Sequence, residues 1–294
     1  MRPFVTVGVC VKDSAHTLAE AIQSIHAQDY PHDRMEIVFV DDGSKDATPS
    51  VIRKYAAEKT ISSRVFSTPW RGLGASRNLV VEEAKGRYIA WVDADMLLPK
   101  DHVSKQVEFM EKNPKVGIAK ARYGDAEDSN LLGFLENAAY VAVDSLYGGR
   151  PTTRTLGTGG AVYRIEAIRQ AGGFDVRHSG VGEDMEAESK VKAAGWDLYM
   201  GSPAVFYERR RKSLKAIWRE GFWHGYGGYR LFKKNSSAFA LYKMTPPAGF
   251  IAGTWYSTVA YRLTGRKAVF LLPLHYAFKR LAWCLGFTKG QIEK

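Results

Sequence analysis

The sequence predicts an α/β fold with a mainly parallel sheet and helices on both of its faces. Three observations support this prediction. Short apolar runs of strand character alternate with segments of helical periodicity through residues 4–121, as in proteins built from βα units. Polar clusters follow three of these runs, at the sheet edge where ligands bind in such folds. The chain has 294 residues, 45% of them hydrophobic, which is enough for one large domain and an appendage.

Continuous apolar or β-branched runs predict the strands, and apolar residues at helical spacing predict the helices. Strands are predicted at 4–11, 36–40, 64–66, 88–92 and 116–121, and a Gly-rich stretch leads into the apolar residues 161–163. The first helix follows Ser14 as its N-cap. The other helices are predicted at about 47–58, 73–84, 100–111, 130–147 and 182–194.

The charge is distributed unevenly along the chain. The segment from Tyr207 to the end contains 17 of the 42 Lys and Arg residues but 3 of the 31 Asp and Glu residues, in a chain of net charge +11. Basic segments of this kind bind nucleic acid, anionic lipid or phosphorylated ligands, or are simply solvated. We predict two domains, an α/β domain at residues 1–232 and a basic, aromatic-rich helical tail at residues 233–294.

The triplet Asp93-Ala94-Asp95 ends the predicted strand 88–92. Alternate residues of a strand project to the same side, so the two carboxylates can face one site. Their charges repel unless a cation or sugar hydroxyls lie between them. Mg2+ and Mn2+ prefer such oxygen ligands and also bind phosphate oxygens. The competing interpretation is a polar turn after a strand.

Two further clusters have a chemical and a structural interpretation. Asp42, at the end of the second strand, can accept the ring N–H of uracil or guanine, or it can belong to a tight turn and helix cap. The glycines of Gly72–Asn78 permit close backbone approach, and Arg77 can reach a phosphate or a sugar hydroxyl. The alternative for this segment is an ordinary helix start with a surface arginine.

Together these motifs resemble glycosyltransferase family 2, whose fold is the Rossmann-like GT-A type. The resemblance extends over about residues 4–232. The matching pieces occur in the family's order: the first strand ending near Asp13, residues 40–44, 72–78, 84–89, 93–95, 157–160 and 182–184. The resemblance implies an inverting, metal-dependent, hexosyltransferase-like enzyme that uses a UDP- or GDP-linked sugar.

The resemblance also implies roles on the donor side. Asp42 would recognise the nucleobase, helped by the backbone from Val11 to Asp13. Asp93 would lie near the ribose or the donor sugar. Asp95 would bind the Mg2+ or Mn2+ ion that bridges the diphosphate.

Further implied roles concern the phosphates and the acceptor. Arg77 would bind the donor, and Arg219 would contact the diphosphate. The acceptor loop would consist of Gly157, Thr158, Gly159 and Gly160. Asp184 would be the catalytic base, with Glu183 as the second candidate, since a carboxylate can take the proton of an acceptor hydroxyl. Both acids also suit a helix N-terminus through the helix dipole alone.

Departures from the family pattern narrow the expected reaction. Tyr207 stands where many members have a histidine, so a histidine metal ligand is not expected there. The Gln-x-x-Arg-Trp signature of processive members is missing at 217–223, which disfavours a long-polymer synthase. Two alternatives stay open: a polyprenyl-phosphate sugar synthase, whose acceptor needs no base, and a non-catalytic, membrane-docked module that binds nucleotide sugars. A nucleotide-binding oxidoreductase is disfavoured because no Gly-x-Gly-x-x-Gly follows the first strand.

The tail combines apolar runs with basic and aromatic residues. Its apolar runs at 246–261 and 268–278 are shorter than a spanning helix requires. Interleaved Trp, Tyr, Lys and Arg residues suit helices that lie at a membrane interface. We expect association with an anionic membrane at the cytoplasmic face, and no nucleic-acid partner. A helical cap on the α/β domain or a dimer contact is the alternative.

Overall fold

The computed structural model describes residues 2–124, 130–176, 182–234, 236 and 240–293. The chain forms two compact units. The first unit contains Met1–Arg122 and Tyr147–Glu208, and the second contains Tyr123–Leu146 and Arg209–Lys294. The limits of these units differ from the predicted domain boundary between residues 232 and 233. That boundary stays a prediction about the extent of the α/β domain.

The sheet contains nine strands within the described residues. They are β1 (Val5–Val11), β2 (Met35–Asp42), β3 (Ser62–Thr68), β4 (Tyr88–Trp91), β5 (Met96–Leu97), β6 (Val116–Tyr123), β7 (Arg150–Pro151), β8 (Ala161–Arg164) and β9 (Asp197–Glu208). All five predicted strands are present. The short strands β5, β7 and β8 and the long strand β9 were not predicted. The first three have at most four residues each, and the apolar residues of β9 are interrupted by Gly201, Ser202 and Pro203.

Ten α-helices lie in the described part of the chain. They are α1 (Ala15–His26), α2 (Thr48–Ala56), α3 (Leu73–Glu83), α4 (His102–Lys112), α5 (Leu131–Tyr147), α6 (Ile165–Gln170), α7 (Glu183–Ala193), α8 (Leu214–Lys234), α9 (Pro246–Thr264) and α10 (Leu272–Ile292). Ser14 precedes α1 as predicted, but its hydroxyl donates to the carbonyl of Lys12 at 2.9 Å. The carboxylate of Asp46 accepts the Ala15 N–H instead, at 3.0 Å.

The strand order is β3-β2-β1-β4-β8-β6-β9-β5, with β7 paired to β9. The first four strands pair in parallel, whereas β8 pairs antiparallel with both β4 and β6. The α/β class is therefore confirmed, but the sheet is mixed rather than mainly parallel. The difference arises because β8 inserts between two strands that the alternating pattern would have placed side by side.

Burial on both faces explains the continuous apolar character of the central strands. Val5, Val7 and Val9 of β1 are fully buried, and every residue of β2 is buried. Parallel strands covered on both faces have this composition. Gly8 is required in β1, since a Cβ there would lie 2.7 Å from the ring of Trp91 and 2.9 Å from Val80.

In the second unit, α5 packs against α9 and α10. Its buried face includes Phe134, Leu135 and Ala142, which cluster with Ala260 and Leu272. The glycines of α8 and α10 let these two helices approach closely, since a Cβ on Gly225 or Gly286 would overlap the facing backbone. No helix in the part of the chain that the structure describes is long and apolar enough to cross a membrane.

The second unit also buries one acidic side chain. The carboxylate of Glu136 accepts hydrogen bonds from Lys279, at 2.8 Å, and from His275. Burial acts to raise the pKa of Glu136, but the charge of Lys279 and the hydrogen bond from His275 outweigh it and lower the pKa to about 2. This side chain therefore stays ionised and links α5 to α10.

Candidate active site

Three polar clusters lie at one edge of the sheet. The strands β2, β1 and β4 are adjacent and parallel, so their carboxyl ends point the same way. Asp13 follows β1, Asp41 and Asp42 end β2, and Asp93–Asp95 follow β4. The expectation that these clusters share one edge is confirmed.

The loops after β1 and β2 are fixed to each other. The N–H of Asp13 donates to the hydroxyl of Ser44 at 2.9 Å, and the N–H of Lys45 donates to the Asp13 carboxylate at 2.7 Å. Asp13 has a φ of +48°, which Asp tolerates better than most residues. Val11 is buried and pairs with Asp41. Asp13 thus shapes the edge, while the contribution of Val11 to nucleobase binding stays a prediction.

Asp42 binds a backbone segment. Its two carboxylate oxygens accept the N–H groups of Arg71, at 2.7 Å, and Gly72, at 2.9 Å. This fixes the loop that precedes α3 and places the exposed ring of Trp70 near the edge, with the ammonium of Lys12 4.8 Å from the ring centroid. A carboxylate has about four acceptor positions, so Asp42 has the capacity to accept a further hydrogen bond from a nucleobase. That contact stays a prediction.

Arg77 is buried rather than at the surface. Its guanidinium donates to the carboxylate of Glu183 at 2.6 Å, and both side chains are almost fully buried. The alternative of an ordinary surface arginine is therefore wrong. Burial raises the pKa of Glu183, although the charge of Arg77 opposes this. The second carboxylate oxygen of Glu183 is buried without a hydrogen-bond partner among the described residues.

The loop Gly157–Gly160 reaches two of the predicted acids. A Cβ on Gly159 would lie 2.6 Å from a carboxylate oxygen of Asp93. A Cβ on Gly157 would lie 3.5 Å from a carboxylate oxygen of Asp184. Thr158 within the loop is buried. The structure therefore brings the predicted acceptor loop, Asp93 and the preferred base Asp184 together.

The acids of the edge influence each other. Burial raises the pKa of Asp93, and the neighbouring charge of Asp95 adds to this, while Arg77 and Lys120 lower it. Within the described residues, no three His, Cys, Asp or Glu side chains form a cluster that could bind a metal by themselves. A Mg2+ site shared with substrate phosphates needs only one or two carboxylates. Asp93 and Asp95, whose charges interact, supply the one or two carboxylates that such a site needs.

Two residues of this site were missed in the sequence. Glu188 lies one turn after Asp184 on α7, and its carboxylate accepts the N–H groups of Leu156 at 2.9 Å and Gly157 at 2.7 Å. Lys120 on β6 donates to the carbonyl of Gly159. The i, i+4 spacing from Asp184 and a lysine within a buried strand were the available signals.

We predict that Glu188 makes the folding stability pH-dependent. Burial raises its pKa from 4.5 to about 8, and the charge of Asp184 adds to this. The folded protein therefore binds this proton more tightly than the unfolded chain does, so the free energy of unfolding falls as the pH rises from about 4.5 to 8. Each pKa unit is worth about 1.4 kcal/mol.

Chemical denaturation of wild type and Glu188→Gln at pH 5, 6.5 and 8 measures this effect. The variant cannot ionise, so its stability should fall less across the window than that of the wild type. Glu166→Gln, at an exposed position on α6, is the control and should follow the wild type. Parallel pH dependences for wild type and Glu188→Gln would contradict the assignment.

Arg219 lies on α8 in the second unit, and its predicted contact with a diphosphate stays a prediction. The metal-binding role of Asp95, the contact of Arg77 with the donor, and the catalytic roles of Asp184 and Glu183 likewise stay predictions.

Comparison with known proteins gives a family and a fold. Residues 6–172 match the sequence model described as Glycosyl transferase family 2. The mannosyltransferase PcManGT from Pyrobaculum calidifontis, solved in complex with GDP-Man and Mn2+, superposes with a TM-score of 0.71 at 21% identity, over 100% of this chain and 88% of that chain. At this identity the likeness concerns the fold, and the predicted GT-A type is confirmed.

Two relatives in sequence match over more than three quarters of this chain. The poly-beta-1,6-N-acetyl-D-glucosamine synthase of Staphylococcus epidermidis is 22% identical over 240 residues, covering 77% of this chain and 54% of that protein. The beta-monoglucosyldiacylglycerol synthase of Trichormus variabilis is 24% identical over 237 residues, covering 78% of this chain and 50% of that protein. The chain thus spans about half the length of these curated relatives.

Proposed function

The chain belongs to glycosyltransferase family 2, and on this basis we propose that it transfers a sugar from a nucleoside-diphosphate sugar to an acceptor hydroxyl, inverting the anomeric carbon. One observation supports this proposal most strongly. The loop Gly157–Gly160 lies against Asp93, at the donor edge of the sheet, and against Asp184, in the first turn of α7. A donor and an acceptor that meet at this loop would have a carboxylate on each side.

Asp184 is the proposed base. It is half-buried, whereas Glu183 is buried and paired with Arg77, so Asp184 is the acid that an acceptor can reach. As the acceptor oxygen attacks the anomeric carbon, its proton passes to the Asp184 carboxylate. The bond between that carbon and the diphosphate breaks in line, and its electron pair leaves with the nucleoside diphosphate.

On the donor side, Asp42 is proposed to contact the nucleobase and Asp95 to ligate Mg2+ or Mn2+ together with the diphosphate. The cation, when bound, stabilises the charge that develops on the departing diphosphate. Asp93, whose carboxylate lies against Gly159, is proposed to orient the ribose or the donor sugar. Arg77 orients Glu183 in the buried pair and lies close enough to Asp93 to lower its pKa.

The acceptor is proposed to be a glycan or a lipid-linked saccharide. The names of the two relatives describe a polysaccharide synthase and a glycolipid synthase. A hydroxyl acceptor is favoured over a polyprenyl phosphate because Asp184 is placed to accept a proton, which an ionised phosphate does not need to lose.

A donor screen tests this proposal. Purified protein is incubated with UDP- and GDP-linked hexoses and Mn2+, and released nucleoside diphosphate is measured with and without EDTA. We expect metal-dependent release from one donor, increased by the matching acceptor. If every donor stays intact, with lipid and glycan acceptors present, and no nucleoside diphosphate binds, the proposed activity is wrong.

We further propose that α9 and α10 bind an anionic membrane at the cytoplasmic face. Each helix has large apolar side chains exposed at helical spacing: Ile251 and Trp255 on α9, and Leu274, Leu281 and Leu285 on α10. The second half of the chain also carries the excess of Lys and Arg. An apolar helix face beside cationic side chains suits the interface of an anionic bilayer.

Vesicle co-sedimentation tests the membrane proposal. We expect binding to vesicles that contain phosphatidylserine, weaker binding at high salt because the charges are screened, and a loss of binding in the double variant Ile251→Glu/Leu274→Glu. Val176→Glu changes an equally exposed apolar residue of the first unit and should bind like the wild type. Unchanged binding of the folded double variant would contradict the proposal.

A further inference from the structure

The loop that meets Asp93 and Asp184 is bound by two buried charged side chains. Glu188 on α7 accepts the N–H groups of Leu156 and Gly157, and Lys120 on β6 donates to the carbonyl of Gly159. Both side chains are at most 3% exposed. Burying two ionisable groups is costly unless their partners are well placed, so these contacts require an explanation.

Hydrophobic packing does not explain why the side chain of Glu188 is buried. Its carboxylate faces Asp184 on its own helix, Lys120 on β6, and Tyr163 on β8, which is also buried. Burial opposes ionisation of Glu188 most strongly and repulsion from Asp184 adds to this, whereas the two backbone donors and Lys120 favour ionisation. An apolar residue at this position would avoid the cost but would leave the buried N–H of Leu156 without its acceptor.

The geometry points to a positioning function: we propose that Glu188 and Lys120 hold the loop Leu156–Gly160 between Asp93 and Asp184, and thereby set the distance between donor and base. The effect on the distance between donor and base rests on the proposed function. The contacts by which the two side chains bind the loop are independent of that function. Neither side chain is proposed to contact the reacting atoms. Glu188 acts through the backbone at Leu156 and Gly157, and Lys120 acts through the backbone at Gly159.

Three substitutions separate the contributions. Glu188→Gln has one acceptor oxygen and an NH2 group that donates, so it cannot accept both backbone N–H groups. Glu188→Asp keeps two acceptor oxygens on a side chain that is one methylene shorter. Lys120→Met keeps most of the apolar stem and removes the donor to Gly159. The control is Glu166→Gln, the same chemical change at an exposed residue of α6.

Amide hydrogen exchange measures the positioning directly and needs no substrate. At about pH 9, above the pKa of about 8 that burial gives Glu188, its carboxylate is ionised, and in wild type the amides of Leu156 and Gly157 should exchange slowly. Glu188→Gln should exchange one or both about 10- to 100-fold faster, the range that a hydrogen bond to a charged group supports. Glu188→Asp should restore part of this protection, and Glu166→Gln should match the wild type. Equal protection in wild type and Glu188→Gln would overturn the proposal.

Activity separates positioning from a general loss of structure. With a donor identified by the screen, Glu188→Gln and Lys120→Met should lower kcat at least about 10-fold. Their Kd for the matching nucleoside diphosphate with Mn2+ should stay within about twofold of the wild-type value, because Asp42 and its loop are unchanged. If Kd rises as much as kcat falls, the residues stabilise the whole site and the positioning role is wrong.

The two levels of the proposal fail separately. If wild type turns over no donor, the proposed function fails, and hydrogen exchange still decides whether Glu188 binds the loop. If Glu188→Gln does not fold, amide hydrogen exchange, kcat and Kd are measured on Lys120→Met instead. Faster exchange of the loop amides with an unchanged Kd in that variant supports the proposal. Unchanged exchange and unchanged kcat in that variant would contradict it.

Discussion

Replacing Asp184 by Asn should lower the rate of sugar transfer by about 10²–10⁴-fold, the usual contribution of a general base. The amide is nearly isosteric with the carboxylate and can still accept the N–H of Met185, which donates to Asp184 at 2.8 Å. It cannot take a proton at neutral pH. Asp184 is the second residue of α7, after the N-cap Gly182, so the loss of its charge removes only a small interaction with the helix dipole, and the melting temperature and the affinity for the nucleotide should change little.

The control for this variant is Glu186→Gln. Glu186 is another acid in the first turn of α7 and pairs with Lys190 at 3.3 Å, so the substitution removes a similar charge without removing the base. Transfer rate and melting temperature are measured on the same preparations. Near-normal transfer by Asp184→Asn would move the base to Glu183, or favour a phosphate acceptor, which needs none.

Replacing Asp95 by Ala should remove the metal dependence of donor binding and lower transfer on the order of 10²-fold or more, since a bound cation contributes several kcal/mol of charge stabilisation. In wild type, Mn2+ should increase the affinity for the matching nucleoside diphosphate. In Asp95→Ala, the affinities measured with Mn2+ and with EDTA should be equal, because the proposed protein ligand of the cation is absent.

Asp197→Ala is the matched control, since Asp197 is an exposed acid at the start of β9. It should keep the response to Mn2+ that the wild type shows. Calorimetric titration of UDP and GDP gives the affinities directly. A response to Mn2+ in Asp95→Ala that equals the wild-type response would exclude Asp95 as the ligand.

Local sequence patterns predicted the elements better than their arrangement. β1 and β2 are buried along their length, and burial on both faces produces the continuous apolar runs that identify them. The three apolar residues of β8, Ala161–Tyr163, gave no indication of their neighbours in the sheet. Pairing of β8 between β4 and β6 brings together segments more than 40 residues apart, and periodicity does not encode such distant contacts.

The same limit applies to the site. Carboxylates at strand ends are visible in the sequence because each follows its own apolar run, as Asp42 and Asp93 do. The Arg77–Glu183 pair joins residues separated by 106 positions, and its burial excludes the alternative of a surface arginine. Glu188 resembles a solvated acid of a charged helix until the fold places the backbone of Leu156 against it.

The most direct test of the central claim is a crystal structure with the matching nucleotide sugar and Mn2+. We predict that the nucleobase lies near Asp42 and that the cation is bound by Asp95 and the diphosphate. The anomeric carbon should lie between the loop Gly157–Gly160 and Asp184. A nucleotide sugar bound away from the carboxyl ends of β1, β2 and β4 would contradict it.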